Sequence, residues 1–148
     1  SQPIFEEKLI VYVHQDKAFR FTQVSDLHGK RIGVIRGWSY NEELDEAIRD
    51  GRIRVTESSS DKANFKMLAS GRLDAVIAIE LAGQRIIQQL QMHQVLALEP
   101  PLSINPTYLV FAKQARQQAL LQRFDQILLE MRADGSLDRL VQQAVGSE

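Results

Sequence analysis

The sequence predicts an α/β fold, with an open, mainly parallel sheet and flanking helices followed by two C-terminal helices. Three observations carry this expectation. Short apolar runs rich in branched residues alternate with stretches of helical periodicity from residue 9 to residue 98. One run, Leu73 to Ile79, is almost continuously apolar around Asp74, as a strand covered on both faces must be. From Ala115 the strand signals stop and two amphipathic stretches follow.

In chain order, Leu9 to Val13 reads as the first strand, and Asp26 to Lys30 as a turn in which Gly29 supplies backbone freedom. Arg31 to Ile35 is a buried strand. Gly37-Trp38-Ser39-Tyr40 then leads into a polar helix over Asn41 to Asp50, where Ser39 and Glu42 stand at capping-box spacing and Gly51 is placed to stop the helix. Arg52 to Glu57 is the next strand. Ser58, Ser59 and Ser60 are cap candidates for a helix from Asp61 to Ser70 whose inner face is Phe65, Leu68 and Ala69, and Gly71 ends it. Leu73 to Ile79 leads to a helix over Leu81 to Leu90, and Val95 to Leu98 is a short strand halted by Pro100 and Pro101. Thr107 to Ala112 is the last strand. This order implies right-handed crossovers. Ala115 to Asp134 forms a long helix striped by Leu120, Phe124, Ile127 and Met131, with Leu121 and Leu128 beside them. Gly135 suits the left-handed stop, and Ser136 caps a final helix that carries Leu137, Leu140, Val141 and Ala144 on one face.

Charge and composition remove several function classes. The formal net charge is -1 and no basic tract is present, so nucleic acid is not an expected partner. With no cysteine there is no disulfide, thiolate metal site or cysteine nucleophile. His14, His28 and His93 are isolated from any second ligand at metal spacing, so no metal and no other cofactor is expected. No nucleophile elbow, phosphate loop or H-E-x-x-H occurs, so the chain is not expected to be an enzyme. The run Glu42, Glu43, Asp45, Glu46 reads as a solvated helix face, and no apolar run approaches membrane-spanning length.

The best site candidate is Gly37-Trp38-Ser39, at the carboxyl end of a strand and the start of a helix, where open α/β sheets bind ligands and free N–H groups meet anions. Glycine at 37 lets a ligand approach the backbone. Trp38, the only tryptophan, could stack on a ligand or simply pack, and Arg36 could pair with an anion or remain a solvated strand end. Ser39 reads equally as an N-cap. Glu42 and Glu43 stand against an anionic ligand, because both lie in the first helical turn.

Four stretches together resemble family 3 of the bacterial extracellular solute-binding proteins, the type II periplasmic binding proteins whose familiar members bind polar amino acids for ABC transporters. They are Asp26-Leu27-His28-Gly29-Lys30-Arg31-Ile32-Gly33-Val34 with Gly37; Leu68-Ala69-Ser70-Gly71-Arg72-Leu73-Asp74-Ala75-Val76; Phe124 through Met131-Arg132-Ala133-Asp134-Gly135-Ser136-Leu137; and Ser1-Gln2-Pro3-Ile4-Phe5. The resemblance implies that residues 9–106 form the second lobe, with 1–8 as the first inter-lobe crossing. Residues 107–148 would form the second crossing and the helices that pack on a first lobe the chain does not contain. It implies a small polar solute as ligand, a membrane permease as partner and a periplasmic location. The position matching Ser39 is a Thr or Ser that holds the ligand carboxylate. Relatives place an Asp for the ligand amine where this chain has Ile79; Glu80 is next, but one step along a strand turns the side chain to the other face. A sensor domain of a signalling protein, or an enzyme such as a dehydratase, are the alternatives the same fold allows. The apolar tail stripes, uncovered without a first lobe, imply a homodimer.

Overall fold

The structure, a computed structural model, describes residues 3–108 and 117–146. The described strands form one six-stranded sheet. They are β1 (Pro3–His14), β2 (Arg31–Ile35), β3 (Arg54–Ser58), β4 (Ala75–Ile79), β5 (Val95–Ala97) and β6 (Ser103–Tyr108), and the helices are α1 (Glu42–Arg49), α2 (Asp61–Ala69), α3 (Glu80–Gln89), α4 (Gln118–Ala133) and α5 (Ser136–Gly146). The sheet order is β3-β2-β4-β1-β5, with β6 also on β1. β2 runs parallel to β3 and β4, giving the expected parallel region, whereas β1 runs antiparallel to both β4 and β5.

Two elements differ from the pattern reading for physical reasons. β1 extends well before Leu9: only Leu9 to Val13 are buried on both faces, so only that half carries a continuous apolar run. The strand expected at Thr107 to Ala112 is instead β6, and residues 109–112 lie outside the described residues. β6 contains Pro106, which pattern reading rejects in a strand. Pairing only with β1, β6 is an edge, where a missing N–H is tolerated.

The chain divides into two compact units, one of Lys8–Ile104 and one of the described residues up to Glu7 with those from Asn105 onward. In the larger unit a core cluster lies on each face of the sheet. On one face Val11, Val13, Ile32, Val34 and Ile77 meet Leu44 and Ala47 of α1. On the other, Ile10, Tyr12 and Val76 meet Phe65 and Leu68 of α2, with Ile86 and Ile87 of α3 packed beside them. Each large aliphatic or aromatic side chain buried this way contributes about 1.5–3 kcal/mol.

Tyr12 joins several elements on the second face. Its ring lies 5.0 Å from that of Phe65, and its hydroxyl donates to the main-chain oxygen of Glu80 at 3.0 Å. α3 can lie this close because position 83 is glycine: a Cβ there would overlap the Tyr12 ring. A second glycine, Gly33 in β2, leaves room for Leu73 and Asn64; a Cβ there would come to 2.6 Å from Leu73 Cδ1.

In the smaller unit α4 and α5 pack on each other and bury Leu128 and Leu137. Gly135 adopts a positive φ of 72°, as expected of the helix stop. Ser136 is not the cap of α5: it is the first helical residue, its N–H donates to Asp134 Oδ1 at 2.8 Å, and its hydroxyl turns back to the Met131 oxygen. Leu120 and Ile127, on the apolar stripe read along α4, are exposed, as are Leu129 and Leu140.

At the amino ends of β2 and β4, Arg31 and Asp74 form a two-pronged pair. Arg31 Nη2 lies 2.8 Å from Asp74 Oδ1 and Nε 3.1 Å from Oδ2, while the Arg31 main-chain N–H donates to Oδ2 at 2.8 Å. The guanidinium lowers the Asp74 carboxyl to about 2, against a smaller opposing effect of burial. Because the folded value lies below the unfolded one, the stabilisation is present above about pH 4, half lost by about pH 3, and gone below about pH 2. Both side chains are partly solvated, so Asp74→Asn is expected to cost on the order of 1 kcal/mol at pH 7. Urea unfolding of both proteins at pH 7 and pH 3 checks this; an undiminished difference at pH 3 contradicts it.

Candidate functional site

The carboxyl ends of β2, β3 and β4 lie side by side. Ile35 pairs with Ser58, and the Arg36 N–H donates to the Ser58 oxygen at 2.9 Å. α1, α2 and α3 all begin along this edge: α1 after the 36–41 loop, α2 at Asp61 just past β3, and α3 at Glu80 directly after β4. α1 covers one face of the sheet and α2 the other, so the strand ends lie between the two helix starts, the place where open α/β sheets bind ligands.

The loop before α1 is held by its own hydrogen bonds. Gly37 has φ 76°, and open space surrounds the position of a Cβ there. Glycine is therefore required by the left-handed backbone and not by crowding. The Trp38 N–H closes a turn onto the Ile35 oxygen at 3.2 Å. Tyr40 is buried, and its hydroxyl accepts the Ile35 N–H at 2.8 Å; burial is the main cause that raises its pKa.

The capping box expected between Ser39 and Glu42 is not formed. Asn41 caps α1, its Oδ1 accepting the Leu44 N–H at 2.8 Å. Ser39 lies two residues further out and donates its hydroxyl to Asp45, which also accepts the Tyr40 N–H at 3.1 Å. Asn41, itself a strong capping residue directly before Glu42, was the signal that the Ser39–Glu42 spacing obscured.

Trp38 is half exposed, with its ring 6.5 Å from that of Tyr40. With Ser39, Asp45, Arg49 and Glu57 over a floor of Val34 and Val55, these rings line a groove of about 300 Å³ on the α1 side of the edge. Of the residues singled out from the sequence, Trp38 and Ser39 line this groove. Arg36 is exposed and lies 3.6 Å from Glu57 at its rim. Ile79 and Glu80 do not line it. Ile79 packs against the α1-side core cluster and offers no polar group. Glu80 begins α3, with its carboxylate 3.9 Å from Lys8 Nζ.

Asp61 and Asn64, on α2, escaped the sequence reading. Asp61 Oδ1 and both amide atoms of Asn64 are buried without hydrogen-bond partners, and Asn64 as a whole is fully buried. Burial raises the Asp61 pKa. The available signal was a polar pair three residues apart on the stripe that continues with Phe65 and Leu68. Among the described residues no group of His, Asp and Glu is placed to hold a metal, and no helix is long and apolar enough to cross a membrane.

No family model matches the chain. In sequence it is 28% identical over 125 residues to PatH of Vibrio harveyi, whose name describes an amino-acid ABC transporter-binding protein, covering 84% of this chain and 49% of PatH. It is 22% identical over 143 residues to the amino-acid-binding protein AabA of Dichelobacter nodosus, covering 97% of this chain and 55% of AabA. The chain thus spans about half the length of these curated relatives. Among solved structures, the GluR0 ligand-binding core in complex with L-glutamate superposes with a TM-score of 0.71 at 17% identity, covering 97% of this chain and 62% of that one. A crystal structure of ArgBP from T. maritima gives 0.68 at 24% identity over 100% and 61%. A histidine kinase sensor domain with similarity to periplasmic binding proteins gives 0.68 at 18% identity over 97% and 60%. At these identities the structures establish the fold. The chain has a periplasmic-binding-protein-like fold and, over about half of their length, resembles the amino-acid-binding proteins of ABC transporters, the family 3 extracellular solute-binding proteins.

Proposed function

We propose that this chain captures a small polar solute, an amino acid or a related compound, at the carboxyl ends of β2, β3 and β4, as part of the substrate-binding component of an ABC-type uptake system in the periplasm. The observation that carries the reading is the groove lined by Trp38 and Ser39 at the carboxyl ends of β2 and β3, in a chain whose sequence relatives are named as amino-acid-binding proteins. Gly37, Trp38 and Ser39 supply contacts from the α1 side. Residues 9–106 act as one lobe, and the solute is enclosed when a second lobe of a longer protein closes on it, with no bond chemistry involved. Delivery is to a membrane permease.

The histidine kinase sensor domain among the structural neighbours supports a second reading, in which the same binding event is sensed rather than coupled to uptake. Deleting the gene separates the two: uptake of the bound solute is lost in the first case, and only a response to it in the second. The reading also includes pairing of two copies through α4 and α5, supported by the exposed Leu120, Ile127, Leu129 and Leu140. Light scattering at micromolar concentration is expected to give twice the 16.8 kDa chain mass, and a monomer would remove this part.

Trp38 makes the binding proposal directly testable, because it is the only tryptophan and stands half exposed at the site. Titrating the chain with each of the twenty amino acids is expected to change its fluorescence saturably for at least one, with a dissociation constant no tighter than about millimolar, roughly 4 kcal/mol. Ser39→Ala is expected to weaken that binding about fivefold to tenfold through one lost hydrogen bond. It should leave the fold intact, because Asn41 and not Ser39 caps α1. No saturable response to any amino acid, or equal affinity in the variant, contradicts the proposal.

A further inference from the structure

We propose that Asp45, in the first turn of α1, is a positioning residue that sets the specificity of the groove: it takes the one proton of the Ser39 hydroxyl, so Ser39 meets a solute as a hydrogen-bond acceptor. The inference rests on the reading of the groove as a solute site. It adds a substrate class: solutes that turn a hydrogen-bond donor, and not a carbonyl, toward the Ser39 hydroxyl.

The fold brings the two residues together. Asn41 caps α1, and one turn on, the Asp45 N–H donates to the Asn41 oxygen at 2.9 Å, which carries the Asp45 side chain back over the loop. Asp45 Oδ1 accepts the Tyr40 N–H at 3.1 Å, and Oδ2 accepts the Ser39 hydroxyl. Tyr40 is itself buried, with its own hydroxyl held by the Ile35 N–H at 2.8 Å. The carboxylate is thus pinned through both oxygens to two adjacent residues of the loop.

The direction of the Ser39–Asp45 bond follows from its chemistry. A carboxylate has no proton to give, so the hydroxyl donates. A serine hydroxyl has one proton and two lone pairs, and here the proton is spent. Among the described residues nothing donates to those lone pairs, and Ser39 is exposed at the groove. Redirecting the proton to a solute would break a charge-assisted bond, the stronger kind.

Two atoms of Ser39 therefore offer opposite chemistry. Its hydroxyl oxygen accepts. Its main-chain N–H, which meets no acceptor among the described residues, donates. A solute carboxylate set against the hydroxyl oxygen would face it acceptor to acceptor, so the N–H is the group left for it. A 2-hydroxy acid satisfies both atoms, with its carboxylate on the N–H and its hydroxyl donating to Oγ. A 2-oxo acid places a carbonyl where a donor is needed. Val34, Ile48 and Val55 give an aliphatic body apolar surface to rest on.

The test is an NMR titration of the whole chain, followed through the amide signals of Gly37 to Ser39. The probes are 2-hydroxy-4-methylpentanoate and 4-methyl-2-oxopentanoate, which share charge and carbon skeleton. The wild type is expected to bind the hydroxy acid about fivefold more tightly, the worth of one hydrogen bond. In Asp45→Asn the side-chain oxygen goes on accepting the Tyr40 N–H, and the amide NH2 donates to the Ser39 oxygen. The Ser39 proton is then free, and the preference is expected to reverse toward the oxo acid. Equal affinities in the wild type, or a preference for the oxo acid, overturn the inference and leave the solute site standing. A wild-type ratio kept in Asp45→Asn, even with both affinities lowered, shows a purely structural role and overturns it too. If neither probe shifts these signals in the wild type the inference fails, and the fluorescence titration with amino acids decides whether the solute site fails with it. Should Asp45→Asn not fold, Ser39→Ala gives the answer: the preference for the hydroxy acid is expected to vanish, and a retained preference overturns the proposal.

Discussion

The arrangement of the strand-end edge depends on how Tyr12 is seated. One side chain, projecting from β1, packs at a tilt against Phe65 of α2, fills the notch that Gly83 leaves in α3, and donates its hydroxyl to the main-chain oxygen of the first residue of α3. The starts of α2 and α3 are therefore fixed relative to each other and to β4, which pairs with β1 along Leu9 to Tyr12. Burial, with smaller contributions from Glu80 and Asp61, raises the phenol pKa, so Tyr12 stays neutral and keeps donating throughout the physiological range. A rigid edge of this kind suits a binding site, because groups already held in place lose little freedom when a ligand arrives.

Much of this architecture was legible in the sequence, and the parts that were not share a cause. β2 and β4 were marked by apolar runs because both are covered on two faces, and Gly135 was marked because glycine suits the positive φ of a helix stop. The direction of β1 left no local trace: a buried strand reads the same whether its neighbour is parallel or antiparallel. Its outer half and β6 were missed because partial exposure and Pro106 blur the pattern at an edge. Trp38 and Ser39 were picked out from their place after a strand and both line the groove, but the capping box read between Ser39 and Glu42 is not formed, because capping depends on backbone geometry that spacing alone does not fix. Asp61 and Asn64 were passed over because an amphipathic reading searches an inner stripe for its apolar members, and there the informative residues were the polar ones.

On the proposed reading, the solute is met from the α1 side of the strand ends. The α1 side presents a hydroxyl, two aromatic rings and a turn closed by main-chain hydrogen bonds, while Asp45 has its charge met by the Ser39 hydroxyl and the Tyr40 N–H. Ile79, at the end of β4, contributes packing only.

A crystal structure of the chain with bound L-arginine tests the central claim most directly. The account predicts ligand density at the carboxyl ends of β2, β3 and β4, within hydrogen-bond distance of Ser39 and beside Trp38. Density confined to a surface remote from both residues would contradict it.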